Sequence, residues 1–134
     1  MIKYKFSMWI AKRKISLLDV LESIDGDSLE WRIEEFYGIS SPPKRFLGSS
    51  IIDFEDFMIK ENLGYQINWS DLMDFARGID DLIDIRIVGS RTTAKKRSVL
   101  IIIEGIDSTE WEINSYRQIT GSLFADQDID PQEK

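Results

Sequence analysis

Five aspartates lie within a short stretch of the sequence: Asp71, Asp74, Asp80, Asp81 and Asp84. Carboxylate oxygens are the ligands that hard divalent cations prefer. The spacing lacks the glycine-punctuated pattern of a calcium loop, and no histidine or cysteine is present to complete a transition-metal site. A solvated acidic helix face is the better interpretation, so we expect no metal and no cofactor.

The sequence offers little for catalysis. It contains neither histidine nor cysteine, which removes the commonest general base and every nucleophile that depends on either residue. Paired carboxylates can hydrolyse glycosides, but none of the 24 acidic residues is singled out as a pair. No glycine-rich phosphate loop is present. We therefore predict a protein that is not an enzyme.

Charge is distributed unevenly along the chain, with a net charge of −7. Residues 1–14 carry five positive charges, and both 15–40 and 101–134 are strongly acidic. An acidic surface argues against nucleic-acid binding, and the basic stretch 91–97 is interpreted as a solubilising turn. The charge suits a basic protein partner, because opposite fields speed association. The alternative is that acidity only keeps the protein soluble.

Candidate partner-binding residues combine aromatic anchors with acids. Trp9 is predicted on the exposed face of a strand, and Phe46 at the tip of the loop 38–50. Each has an alternative: Trp9 could lie beneath a helix, and Phe46 more often would tuck back onto the core. The acidic candidates are Asp71, Asp74 and Asp81.

The stretch 82–113 must organise the elements that position these residues. Its centre, residues 99–103 (VLIII), is typical of a strand covered on both faces. The neighbouring segments 85–88 and 111–113 are predicted to pair with it. Other alternating segments predict strands at 2–9, 29–34 and 65–69, and Glu30 and Glu34 would face Lys3 and Lys5 if the first two paired.

Helices are predicted at three places. Ser16 and Asp19 form a capping pattern before a helix that Gly26 would end in a left-handed conformation. A second helix covers 53–63, and a third begins at Ser70 and extends to about residue 83, or ends near Arg77 because Gly78 disfavours helix.

These elements predict an α+β single domain over residues 1–124, with a mainly antiparallel sheet of about six strands covered by two or three helices. Residues 125–134 are predicted to be an acidic, frayed tail. No signal peptide and no membrane span is recognised, so we expect a cytoplasmic protein with no membrane partner. The oligomeric state is not predicted.

Two segments resemble small bacterial immunity proteins, the antidotes of polymorphic or contact-dependent toxins. They are residues 64–72 (GYQINWSDL), leading through Phe75 and Ala76 to Asp84, and residues 107–113 (DSTEWEI). The resemblance implies a cytosolic, non-enzymatic protein that occludes a toxin, and it transfers no binding residues. The alternative function is a small-molecule-binding or regulatory domain with a pocket near Tyr65, Trp69 and Trp111.

Overall fold

Seven antiparallel strands form the main sheet in the computed structural model, which describes residues 1–124 and 128–131. In chain order the elements are β1 (Ile2–Ser7), β2 (Trp9–Ile10), β3 (Arg13–Lys14), α1 (Leu17–Glu22), β4 (Glu30–Ser40), α2 (Ile51–Lys60), β5 (Tyr65–Ile67), α3 (Trp69–Arg77), β6 (Ile79–Thr93), β7 (Lys96–Ile106), β8 (Glu110–Ser115), a 3₁₀ turn (Ser122–Phe124) and β9 (Asp128–Pro131). The sheet order is β5-β4-β6-β7-β8-β1-β9. The predicted α+β class and antiparallel sheet are confirmed.

The central strand β7 lies between β6 and β8, as the sequence predicts. The expectation that β7 is covered on both faces is wrong. Ile101 and Ile103 are buried, but Val99 is 40% exposed and Ile102 only half-buried. Core residues of all three helices join the cluster that contains Ile101 and Ile103, whereas the side chains of β7 on the opposite face are half-buried or exposed.

One row of side chains runs across the covered face and forms the centre of the core. Residues that pair in register place their side chains on the same face of a sheet. This row is fully buried and comprises Ile33, Ile87, Ile103, Ile113 and Tyr4, from β4, β6, β7, β8 and β1.

The open face carries a ladder of charged residues. Arg86 donates to Glu34 at 2.8 Å and lies 3.2 Å from Glu104, and its hydrogen bond with Glu34 raises the pKa of the guanidinium. The suggested pairing of β1 with β4 is wrong. β1 pairs with β8 instead, so Lys3 meets Glu112 at 2.9 Å. The register depends on contacts distant in sequence, which charge alternation alone does not determine.

Helix α1 begins as predicted, but Gly26 does not end it. The Ser16 side chain accepts from the Asp19 backbone and the Asp19 carboxylate accepts from the Ser16 backbone, which completes the capping box. The helix ends at Glu22, before Gly26, and Gly26 does not adopt the left-handed conformation that the sequence suggested. Instead, a Cβ on Gly26 would lie 2.5 Å from the Trp69 ring.

The other two helices also differ from the predictions at their ends. The helix predicted at 53–63 is confirmed as α2, which begins earlier, after the N-cap Ser50. Helix α3 is capped by Asn68 rather than by the predicted Ser70, because the Asn68 side chain accepts from the Asp71 backbone at 2.8 Å. It ends at Arg77, which confirms the shorter alternative.

Of the predicted tail at 125–134, the structure describes only β9, which pairs with the outer edge of β1. The rest of that tail lies outside the described residues. None of the helices in the described part of the chain combines the length and the apolar character needed to cross a membrane.

Asp53 supplies a prediction about the start of α2. Its carboxylate accepts hydrogen bonds from the Ser49 side chain and backbone, which lower the Asp53 pKa below 3.8. A lowered pKa in the folded state means that the stabilisation is present above the unfolded-state pKa and is lost as pH falls through the folded-state pKa. Substitution of Ser49 by alanine should raise the Asp53 pKa towards 3.8, as measured by carbon NMR titration. Ser41→Ala is the control and should leave it unchanged.

Candidate protein-binding surface

A short two-stranded ribbon, formed by β2 and β3, follows β1 and is separate from the main sheet. Trp9 pairs with Lys14 and Ile10 with Arg13 around a turn in which Ala11 has a φ of 54°. Backbone hydrogen bonds from Met8 to Thr109 (2.8 Å) and from Ile15 to Met8 (2.6 Å) tie the base of the ribbon to the rest of the fold. The ribbon therefore presents Trp9 and Ile10 at a fixed position.

Lys14 attaches this ribbon to β6 and to the β7–β8 turn. Its ammonium group donates to the Asp81 carboxylate (2.9 Å), the Leu82 carbonyl (2.7 Å) and the Ser108 hydroxyl (2.6 Å). An ammonium group has three N–H donors, and all three have acceptors here. The Lys14 side chain is thus held in one place, although its sequence position is distant from all three partners.

The Trp9 indole is held on two sides while remaining 45% exposed. Its Nε1 donates to the Ser108 carbonyl at 2.9 Å, and the Lys14 ammonium lies 5.6 Å from the ring centroid, within cation–π range. A side chain that is already ordered loses less conformational freedom when a partner binds. Trp9 is therefore a pre-formed anchor.

Two further apolar side chains continue this surface along β4. Ile39 is the register partner of Asp81, and Tyr37 that of Asp84, so the paired side chains share the open face of the sheet. Tyr37 is 56% exposed and Ile39 is 59% exposed. The term aromatic surface denotes the following residues: Trp9, Ile10, Tyr37, Ile39, Asp81 and Asp84.

The electrostatic character of the aromatic surface is acidic at its margin. Asp81 is neutralised by Lys14, but Asp84 makes no ion pair among the described residues. Asp80 directly precedes Asp81, and the Asp107 backbone donates to the Asp84 carboxylate. Both Asp80 and Asp107 are exposed, and neither has a cationic partner in the described part of the chain. The described carboxylates form no group suited to holding a metal ion. The surface therefore combines apolar anchors with three carboxylates that have no cationic partner among the described residues, against one exposed cation, Lys12, in the turn of the ribbon.

A second exposed apolar stripe lies on α2, around the edge of β4. The Glu55 carboxylate accepts from the Gly38 backbone at 3.2 Å, which brings this face of the helix beside Tyr37 and Ile39. Ile52 and Ile59 lie three residues before and four after Glu55, hence on the same helix face, and both are exposed. The apolar area accessible to a partner therefore extends beyond the aromatic surface.

The structure places two of the five candidate residues on the aromatic surface and the other three around α3 and the loop 38–50. Trp9 and Asp81 meet at Lys14, as described above. Asp74 forms an ion pair with Arg77 at 2.8 Å on the outer side of α3. Asp71 is only 7% exposed, accepts from Asn68 and lies 3.0 Å from Arg45.

Phe46, the fifth candidate, packs inward in a cluster of aromatic rings with Phe54, Phe57 and Tyr65, at centroid distances between 5.1 and 6.0 Å. In that cluster, burial raises the pKa of Tyr65, the Asp71 charge raises it further, and Arg45 opposes this. The fully exposed tip of the loop is Leu47.

Tyr37, Ile39 and Lys14 were not among the candidates from the sequence. The alternation that predicts β4 ends at Glu34, because Glu34 and Glu35 are consecutive acids, and the structure has a register shift there, between Ile33 and Glu35. After the shift, alternation resumes with Phe36 buried and Tyr37 exposed, and this alternation is the sequence signal that Tyr37 and Ile39 lie on the outer face.

The residues proposed for a small-molecule pocket are separated in the structure. Trp69 and Trp31 line an open cavity of about 420 Å³ at the β5 edge. Tyr65 belongs to the aromatic cluster around Phe54, and Trp111 is fully buried with its Nε1 donating to the Ile15 carbonyl at 3.0 Å.

No family model, no curated protein and no solved structure matches the chain. The geometry and charge of the aromatic surface are therefore the grounds on which a function can be argued.

Proposed function

We propose that the protein acts by stoichiometric binding of a basic protein partner through the aromatic surface, as a bacterial immunity protein that occludes its cognate toxin. The observation that carries the proposal is a tryptophan held by Ser108 and Lys14 yet left largely open to solvent. The proposal includes a cytoplasmic location and no catalytic activity.

The composition of the aromatic surface favours a protein partner. Tryptophan and tyrosine are the side chains most enriched at the energetic centres of protein interfaces. Trp9 and Tyr37 are exposed here, with Ile10 and Ile39 adding apolar area. The paired Lys14 and Asp81 charges neutralise each other at the centre, so the surface itself is not strongly charged where close packing would occur.

Charge at the margin favours a basic partner. Asp80, Asp84 and Asp107 have no cationic partners among the described residues, and the whole chain carries a net charge of −7. Negative charge around an apolar centre accelerates encounter with a basic protein and is most effective at low salt. The immunity role itself is supported by the sequence resemblance of residues 64–72 and 107–113.

The experiment begins with immobilised protein and a lysate of the source organism, washed at rising salt, and identifies the retained protein by mass spectrometry. The purified partner is then titrated into the wild type and into Trp9→Ala and Tyr37→Ala by calorimetry. We expect one-to-one binding, weakened by roughly 30-fold or more in each variant, because hot-spot truncations cost about 2 kcal/mol or more.

Leu47→Ala is the matched control, because Leu47 is fully exposed but lies in the loop that contains Phe46. It should bind as the wild type does. Equal affinity of all three variants would contradict the aromatic surface as the binding site. The immunity role would be disproved if expression of the partner were harmless to cells, or if co-expression of this protein gave no protection.

A further inference from the structure

We propose that a cavity between the end of α1 and the segment after β8 binds a small organic oxyanion with an apolar body, such as a carboxylate or phosphate monoester. This site goes beyond the protein-binding function and uses none of the residues of the aromatic surface.

The cavity has the size and the floor expected of a ligand site. Its volume is about 300 Å³, at the lower end of the range for small-molecule pockets. Ile101 of β7, Leu29 and Ile24 supply apolar side chains, and Ile101 is buried in the core. An apolar group of a ligand would therefore pack against side chains that the fold already orders.

Two arginines line the same cavity and supply its charge. Neither Arg91 nor Arg117 has an acidic partner within the described residues, although the chain as a whole is acidic. The Arg117 guanidinium lies 5.5 Å from the Tyr116 ring, which orients it without neutralising it. One exposed acid, Asp25, also lines the cavity, so its net charge is positive by one.

The wall that carries Arg117 is tied to the sheet. The buried Ser115 hydroxyl donates to the Arg117 carbonyl at 2.7 Å, and the Tyr116 backbone donates to the Leu100 carbonyl at 2.9 Å. Farther along, the Ile119 backbone donates to the Tyr4 hydroxyl at 2.8 Å. The cavity is thus pre-formed, and both guanidinium groups and apolar side chains line it. Guanidinium groups bind carboxylate and phosphate oxygens in paired hydrogen bonds, which defines the class of ligand.

The test uses 1-naphthyl phosphate and 1-naphthoate as probes, titrated into the full chain by calorimetry and located by amide NMR shifts. We expect saturable binding that shifts the amides of Ile119 and Thr120. The stronger of the two probes identifies the preferred head group. Neutral 1-naphthol lacks the charge and inorganic phosphate lacks the apolar body, so each should bind at least tenfold more weakly than the better probe.

Arg91→Gln and Arg117→Gln should each weaken that probe by about tenfold, because a charge-assisted hydrogen bond is lost. Arg32→Gln is the matched control, since Arg32 donates to the Leu63 carbonyl away from the cavity. It should leave binding unchanged, and all variants should show native circular dichroism. Absence of binding at millimolar probe, equal binding of 1-naphthol, or unchanged affinity in both cavity variants would each overturn the proposal.

Discussion

Substitution of Trp111 by alanine is expected to lower the free energy of unfolding by about 3–5 kcal/mol, the range typical of truncating a large aromatic side chain in a core. Trp111 is fully buried on the covered face, on the same side of β8 as Ile113. Its ring lies against Gly105, where an added Cβ would be only 3.1 Å away, so its removal leaves a cavity beside a strand. The Ile15 carbonyl would also lose the indole N–H as its donor.

Urea denaturation followed by circular dichroism measures this change, with Trp9→Ala as the matched control. Trp9 is 45% exposed, so its truncation should cost about 1 kcal/mol or less, as at other exposed positions. Comparable losses in the two variants would show that Trp9 is structural, and the aromatic surface would then lose its main anchor. A small loss for Trp111→Ala would contradict the packing described for the sheet.

The strands were the most predictable part of the fold, because a half-buried strand records its two faces as alternation in the sequence. The strands predicted at 2–9 and 29–34 correspond to β1 and β4, and their alternating apolar residues Tyr4, Phe6, Trp31 and Ile33 are buried. The capping box at Ser16 was equally local and equally clear. Such patterns depend on near neighbours alone, which is why the sequence suffices for them.

Strand pairing was not predictable in the same way. Nothing local to β1 indicates that Lys3 meets Glu112 rather than an acid on β4, because many acids alternate with apolar residues in this chain. The long central run of β7 was misleading, since Val99 and Ile102 extend an apolar pattern onto an open face. Hydrophobic runs give the position of a strand but not the number of its covered faces.

The candidate surface, too, was predictable where it depends on local alternation and not where it depends on contacts distant in sequence. The exposure of Trp9 was predictable, because the alternation of residues 2–9 places it on the outer face, although the structure has Trp9 in β2 rather than in β1. The contacts that hold it were not, because Lys14 joins Asp81 and Ser108 across separations of 67 and 94 residues. Asp71 illustrates the converse: it was predicted on an exposed helix face, but Arg45 and Asn68 bury and satisfy it.

Substitution of Gly26 tests the tryptophan packing without changing a tryptophan, and substitution of Gly78 serves as the comparison. A Cβ at Gly26 would lie 2.5 Å from the Trp69 ring and 2.6 Å from the Trp31 ring, which is too close for contact without movement. The two indoles also pack on each other, with ring centroids 5.2 Å apart, so a shift of either ring would alter this contact. We expect Gly26→Ala to lower the free energy of unfolding by about 1–3 kcal/mol, as overpacking does in other cores.

Gly78→Ala is the opposite case at the end of α3. The nearest neighbour of a Cβ added at Gly78 would be the Phe75 carbonyl oxygen at 3.6 Å, which is an ordinary contact. The φ of Gly78, −89°, also suits alanine. Because alanine restricts the unfolded chain more than glycine does, we expect a gain of about 0.4–1 kcal/mol. Urea denaturation of both variants gives the comparison. If Gly26→Ala were neutral or stabilising, the two indoles could not enclose residue 26 as closely as the structure shows.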